Sequence, residues 1–397
     1  MSAAVSVPGF LAGGVASGIK KGRAKDLALI FCPGGASAAG VFTTNKVVAA
    51  PVVIARRRLA GGKARAVLAN AGCANACTGG PGARDARAIT GQAAKLLGVR
   101  DSDVLPASTG VIGERIPVPA VARAMPGLVQ ELRPGGFGDA ARAIMTTDTR
   151  PKLAWRRERV SGGDVRLLGI AKGVGMIEPH MATLLVFLAT NARLGAPLLG
   201  RLLHRACDES FNRLTVDGCM STNDTAIILA SGEGCDKAVA AGSAAARRFS
   251  RMLGEVCGDL AEQLAGDGEG ATKRVVVRVR GARSGREAQA AAYAAGNSLL
   301  VKTAIHGEDP NWGRIVQALG ASPANLSPER ISIRFGDVVL LRRGKYAGRA
   351  SEARARRVMR RPRYEITVDL GVGRGRGEVL TCDLSAGYVR INASYRS

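Results

Sequence analysis

The chain has 397 residues, 46% hydrophobic and 22% charged, enough apolar material for a large buried core and two or three domains. Its 57 lysines and arginines exceed 32 acidic residues, giving +25. These cations are spread along the chain without zinc-finger spacing or an aromatic RNA-binding strand, so nucleic acid is not the expected partner and a basic surface that steers small anions is. The most apolar stretch, 181–189, is about half a helical membrane span. No basic residue precedes Lys20, so neither a secretory nor a mitochondrial leader fits, and a cytoplasmic location is expected.

In chain order, short apolar runs at 27–31, 66–70 and 104–106 predict strands, and DARAITGQAAKLL at 85–97 predicts a helix. Proline and glycine punctuate 117–138. TLLVFLAT at 183–190 is too continuously apolar for a half-exposed strand and is expected mid-sheet. Helices are predicted at 197–210, 239–265 and 286–299, and strands at 226–230 and 274–280, the last alternating as RVVVRVR. The basic run 342–363 reads as a solvated helix. Residues 331–395 otherwise read as short strands and turns, with YVRINASYRS at 388–397 a strand ending in polar residues. The glycine-rich stretches 32–40 and 371–377 lack phosphate-loop endings and read as turns. Eight cysteines without a C-x-x-C pair, with only three histidines, predict reduced, buried thiols and no metal site. The mixture suggests layered α/β or α+β packing without a long linker.

Four windows could carry chemistry. In KGVGMIEPHMATLLVFLAT, Thr183 opens the apolar strand. A threonine there is ordinarily structural, but cutting the Ala182–Thr183 bond would give it a free α-amine as its own base. In PASTGVIG, 106–113, a hydroxyl and a backbone N–H on a turn after a strand could form an oxyanion hole, or simply end the strand. In VDGCMSTNDT, 216–225, Asp217, Ser221, Asn223 and Asp224 could organise a site, although a buried turn satisfied by its own side chains is favoured. The polar C-terminal segment is unusual for a tail and is expected to pack into something.

These windows, together with GFLAGGVASGIKKGRAKDLALI, AAGVFTTNKVVAAPV, NAGCANACTG, IMTTDTRPK, GEGATK, DPNWGRI and INASYRS, resemble the bifunctional ornithine acetyltransferase (glutamate N-acetyltransferase) family along essentially the whole chain. The resemblance implies an α/β fold of layered sheets and helices, an N-terminal-nucleophile-type sandwich. It implies autoproteolysis between Ala182 and Thr183, leaving an α chain of 1–182 and a β chain of 183–397 that stay associated, as a heterotetramer or larger. Thr183 would be the nucleophile, Thr109 and Gly110 the oxyanion hole, and Thr149, Lys172, Thr183, Glu269, Asn392 and Ser397 the substrate contacts. The implied reaction moves acetyl from N-acetylornithine to glutamate without a cofactor. Acetyl-CoA as a second donor is compatible with the resemblance and not decided by it. Cys73, Cys219 and His180 depart from the family pattern without removing a catalytic group. The competing readings are a self-processing amidohydrolase or aminopeptidase of similar fold, and a basic nucleic-acid-binding protein.

Overall fold

The computed structural model describes residues 5–178 and 184–394. The chain forms two compact units, one of Met1–Asn212 with Met220–Leu264, the other of Arg213–Cys219 with Ala265–Arg396.

The first unit is built on eight strands: β1 (Leu11–Val15), β2 (Leu27–Phe42), β3 (Lys63–Cys73), β4 (Val104–Val111), β5 (Lys152–Val160), β6 (Gly163–Lys172), β7 (Leu185–Thr190) and β8 (Thr225–Ala230). Their order is β4-β3-β2-β8-β7-β6-β5, with β1 also on β2. Helices α1 (Ala50–Arg58), α2 (Gly79–Leu97), α3 (Val118–Gln130), α4 (Phe137–Ala143), α5 (Ala196–Glu209) and α6 (Ala244–Ala265) flank them.

The glycine-rich stretch 32–40 is not a turn: it lies inside β2. Residues 27–31 pair with β3 and 37–42 with β8, and the register breaks between Phe31 and Ala36, where Gly35 has φ +82°. Glycine adopts that conformation without the Cβ clash other residues meet, so this segment lets one strand serve two sheet halves. The halves face each other. One core gathers Ile30, Val67 and Leu105 from β2, β3 and β4 with Ile170, Phe187 and Ile227 from β6, β7 and β8. On the outer face of the first half, Leu29 and Leu68 pack with Ile89 of α2 and Met125 of α3. On the second half, a Cβ at Gly169 would come within 2.8 Å of Leu260 of α6, so that helix lies directly on the sheet. The result is the expected layered α/β sandwich.

Every residue of β7 is buried, and the strand sits between β6, antiparallel, and β8, parallel, as its continuous apolar character predicts. Helix α3 occupies much of the punctuated 117–138 segment. One proline lies in its first turn, where the missing N–H would have no intrahelical partner, and Pro126 lies inside it.

The second unit holds β9 (Arg274–Ala282), β10 (Ser332–Phe335), β11 (Val338–Arg342), β12 (Lys345–Tyr346), β13 (Arg363–Asp369) and β14 (Gly375–Cys382), ordered β12-β11-β10-β13-β9-β14. Helices α7 (Gly285–Asn297), α8 (Leu299–His306), α9 (Trp312–Gly320), α10 (Arg349–Met359) and α11 (Ala386–Ser394) accompany them. The alternation in β9 holds. Val275, Val277 and Val279 face the alanines of α7, while Arg278 and Arg280 point outward to Glu365, Glu378 and Asp369.

Two expectations here are corrected. The basic run 342–363 is a helix only over α10, because a short strand and turns occupy its start. The C-terminal segment is not a strand but α11: Ser385 Oγ accepts from Gly387 N–H at 3.0 Å, a local bond that favours a helical start over β propensity. All eight cysteines are free; six are buried, while Cys77 and Cys219 are exposed, against expectation. Among the described residues, no helix is long and apolar enough to cross a membrane.

Candidate active site

Thr109 lies near the end of β4, the strand that continues through the segment expected to turn. Gly110 follows with φ +131°, and a Cβ there would lie 2.2 Å from the carbonyl carbon of Gly72. Only glycine fits this closeness of β4 to β3, and the irregular register at Cys73 marks the same spot. The main chain is thereby turned out of regular pairing at the Thr109–Gly110 step.

Lys172 ends β6, and its Nζ donates to Thr109 Oγ1 at 3.3 Å. In a flat sheet five strand spacings would separate these strands by about 24 Å, so the contact itself requires the facing of the two halves. Because Thr109 Oγ1 accepts from the ammonium, its own proton remains available for another acceptor. Both residues are buried, at 4% and 3% exposure.

Asp148 organises the neighbouring charges. Its Oδ1 accepts from Gly173 N–H at 3.0 Å and from Lys152 Nζ, and its Oδ2 from Thr146 N–H at 3.0 Å. Burial alone would raise its carboxyl, but Lys172 and Lys152 outweigh burial and hold it below the ordinary range. Lys20 belongs to the same field. Burial lowers its ammonium, with Lys172 acting in the same direction and Asp26 and Asp148 opposing. Two buried lysines, Lys152 and Lys172, and the half-buried Lys20 thus act on one carboxylate. Thr149, exposed, follows Asp148 in the bend before β5.

Behind Thr109 a polar network fixes the strand ends. Ser108 Oγ donates to Asn70 Oδ1 at 2.6 Å. Asn223 Nδ2 donates to the carbonyls of Ala74 at 2.7 Å and Ser108 at 2.8 Å. Asp224 Oδ1 accepts from Leu184 N–H at 2.9 Å.

In the second unit, Glu269 is buried and its Oε2 accepts from Asn392 Nδ2 of α11 at 2.7 Å. Tyr388 OH, on the same helix, donates to Asp217 Oδ2 at 3.1 Å; burial, then Asp217, push its phenol upward. The sequence-derived site residues thus fall into two groups: Thr109, Gly110, Thr149 and Lys172 in the first unit, and Glu269 with Asn392 in the second. Thr183, Ala182, His180 and Ser397 lie outside the described residues. Sequence reading missed the buried Asp148–Lys152 pair. Four residues apart around a proline, they carry no periodic signal.

The chain matches the ArgJ family over residues 11–397. It belongs to the ArgJ family. It is 47% identical over 393 residues to the arginine biosynthesis bifunctional protein ArgJ of Geobacter sulfurreducens, covering 99% of this chain and 100% of that one. The protein of the same name from Chlorobaculum tepidum is 50% identical over 391 residues, covering 98% of this chain and 96% of that one. A solved ArgJ chain from Bacillus halodurans superposes with a TM-score of 0.50 and 40% identity, matching 52% of this chain and 96% of its own length. The chain is therefore an acetyltransferase of an arginine-biosynthesis enzyme family, and its α/β layering is that of ArgJ proteins.

Proposed function

We propose that the protein cleaves itself between Ala182 and Thr183 and then transfers acetyl from N-acetylornithine to glutamate through an acetyl-Thr183 intermediate. The observation that carries this is the junction of Lys172 with Thr109 beside the positive-φ Gly110. Leu185, the partner of Lys172 in the β6–β7 ladder, is two residues after Thr183 in the chain. The α-amine of Thr183 takes the hydroxyl proton, and the oxygen attacks the acetyl carbonyl. The oxyanion is met by the Thr109 hydroxyl and the Gly110 N–H, ornithine leaves with a proton, and the amine of glutamate accepts the acetyl group. Lys172, with Thr149 beside its cluster, holds a substrate carboxylate, and Glu269, oriented by Asn392, a substrate ammonium. Ser397 is a further substrate contact in this reading. Acetyl-CoA serves as an alternative acyl donor to the same threonine.

One observation supports the cut. The Bacillus halodurans chain uses nearly its full length to match about half of this one, as a polypeptide the size of residues 183–397 would. The cut would fall between β6 and β7, which are hydrogen-bonded neighbours in one sheet, so α chain 1–182 and β chain 183–397 would remain associated; the proposed assembly is a heterotetramer of two of each. Intact mass and N-terminal sequencing of the protein beside Thr183→Ala, followed by acetyl-transfer assay, test the proposal. A second chain beginning Thr-Leu-Leu-Val, absent from the mutant, is expected. A single chain in the wild type, or acetate release without glutamate dependence, would refute it.

A further inference from the structure

The STND turn, read from sequence as structural, links Ser108 of β4 to Leu184, the residue before β7, through consecutive side chains. Asn223 and Asp224 end this turn immediately before β8. Asn223 uses its whole amide: Nδ2 donates to Ala74 O and Ser108 O, and Oδ1 accepts from Thr222 Oγ1 at 2.6 Å. Ser108 is the residue before Thr109, so this amide fixes the backbone that presents the oxyanion donors. Asp224 Oδ1 accepts from Leu184 N–H, the peptide group that follows Thr183, while Leu184 O accepts from Thr225 N–H at 3.0 Å. The turn is anchored in its own right, since Thr43 N–H donates to Asp224 O at 3.0 Å and Thr43 Oγ1 to Ser221 O at 2.7 Å.

We propose that Asn223 and Asp224 are positioning residues for the reaction of Thr183, adjacent side chains that hold the start of the nucleophile's strand and the strand of the oxyanion donors at one fixed separation. This rests on the threonine reading above. The chemistry needs such a ruler. Near-attack geometry tolerates little error, and a misplacement of about 1 Å costs on the order of 100-fold in rate. Residues with rotamers locked by their own hydrogen bonds supply that tolerance. Burial pushes the Asp224 carboxyl upward, opposed by the Leu184 N–H, Lys172, Thr43 and Ser221. An amide has nearly the shape of a carboxyl and also accepts the Leu184 N–H through Oδ1, so asparagine should replace Asp224 and alanine should not.

The test follows self-cleavage of the full-length chain by intact mass in wild type, Asp224→Asn and Asp224→Ala, then kcat and KM for N-acetylornithine on the cut protein. Asp224→Asn is expected to cleave and turn over within about threefold of wild type. Asp224→Ala is expected to be about 100-fold slower in cleavage and kcat, with KM within about twofold. Asn223→Asp, which removes both donors at constant shape, is expected to lose kcat similarly. Asp224→Ala cleaving and turning over like wild type would overturn the proposal, as would Asp224→Asn losing as much as Asp224→Ala. Failure of the wild type itself to cleave is a separate outcome, which refutes the threonine reading.

Discussion

Gly110→Ala isolates the oxyanion strand. The added Cβ would lie 2.2 Å from the carbonyl carbon of Gly72 and 2.5 Å from the nitrogen of Cys73, both backbone atoms that no rotamer can move. Relief to an ordinary contact of about 3.5 Å needs β4 to shift by about 1 Å. The φ of +131° adds about 1–3 kcal/mol of strain for any residue with a Cβ. A shift of that size carries the Gly110 N–H out of hydrogen-bond reach of a developing oxyanion, and losing one such donor costs about 10²–10³ in kcat, or about 3–4 kcal/mol in the barrier. Gly113→Ala is the control, because its φ of +86° imposes comparable strain while nothing lies within 4 Å of its Cβ position. The assay is acetyl transfer from N-acetylornithine to glutamate, with kcat and KM measured separately. Gly110→Ala should lose at least 100-fold in kcat, and Gly113→Ala less than tenfold. Equal losses in the two variants, or a Gly110→Ala kcat within threefold of wild type, would refute the assignment of Gly110 to the oxyanion hole.

Asp148→Asn breaks the fully buried Asp148–Lys152 ion pair and should cost about 3–5 kcal/mol by urea unfolding. Because the folded Asp148 carboxyl is held below its ordinary value, its contribution is present above the unfolded carboxylate pKa near 4 and lost as pH falls through the lower folded value. The wild type should therefore lose stability across that acid window more steeply than the variant; parallel curves would refute the assignment. Glu269→Gln keeps a partner for Asn392 but removes the charge, and should raise KM for N-acetylornithine about tenfold or more while altering KM for glutamate less. Steady-state kinetics with each substrate varied in turn decides it, and an equal rise for both would place the ammonium elsewhere.

What the sequence reveals of this fold depends on whether a signal is local. The run that becomes β7 is legible because a strand buried on both faces has no polar positions to spare, and β9 because one face meets α7 and the other meets water. The stretch 32–40 misleads because glycine marks both turns and irregular strands, and only the pairing of β2 with β3 and β8 separates them. Val389 and Ile391 favour a strand in isolation, yet Ser385 and the bonds from Tyr388 and Asn392 select α11. In the site, Thr109, Gly110 and Lys172 came from motif resemblance, and the structure brings them together. The Asp148–Lys152 pair and the linking action of Asn223 and Asp224 depend on which strands meet, which no window of sequence contains.

The place of β7 between β6 and β8 has a consequence for the life of the molecule. While the chain is whole, residues 173–184 tether β6 to β7, and a short tether keeps its ends at an effective concentration on the order of millimolar. After a cut at Thr183, two solution species must find each other before that sheet can form again. Recovery from denaturation should then become second order, faster at higher protein concentration, whereas uncut Thr183→Ala should refold at a rate independent of it. Maturation would leave the enzyme with its nucleophile and without its easiest route back from the unfolded state.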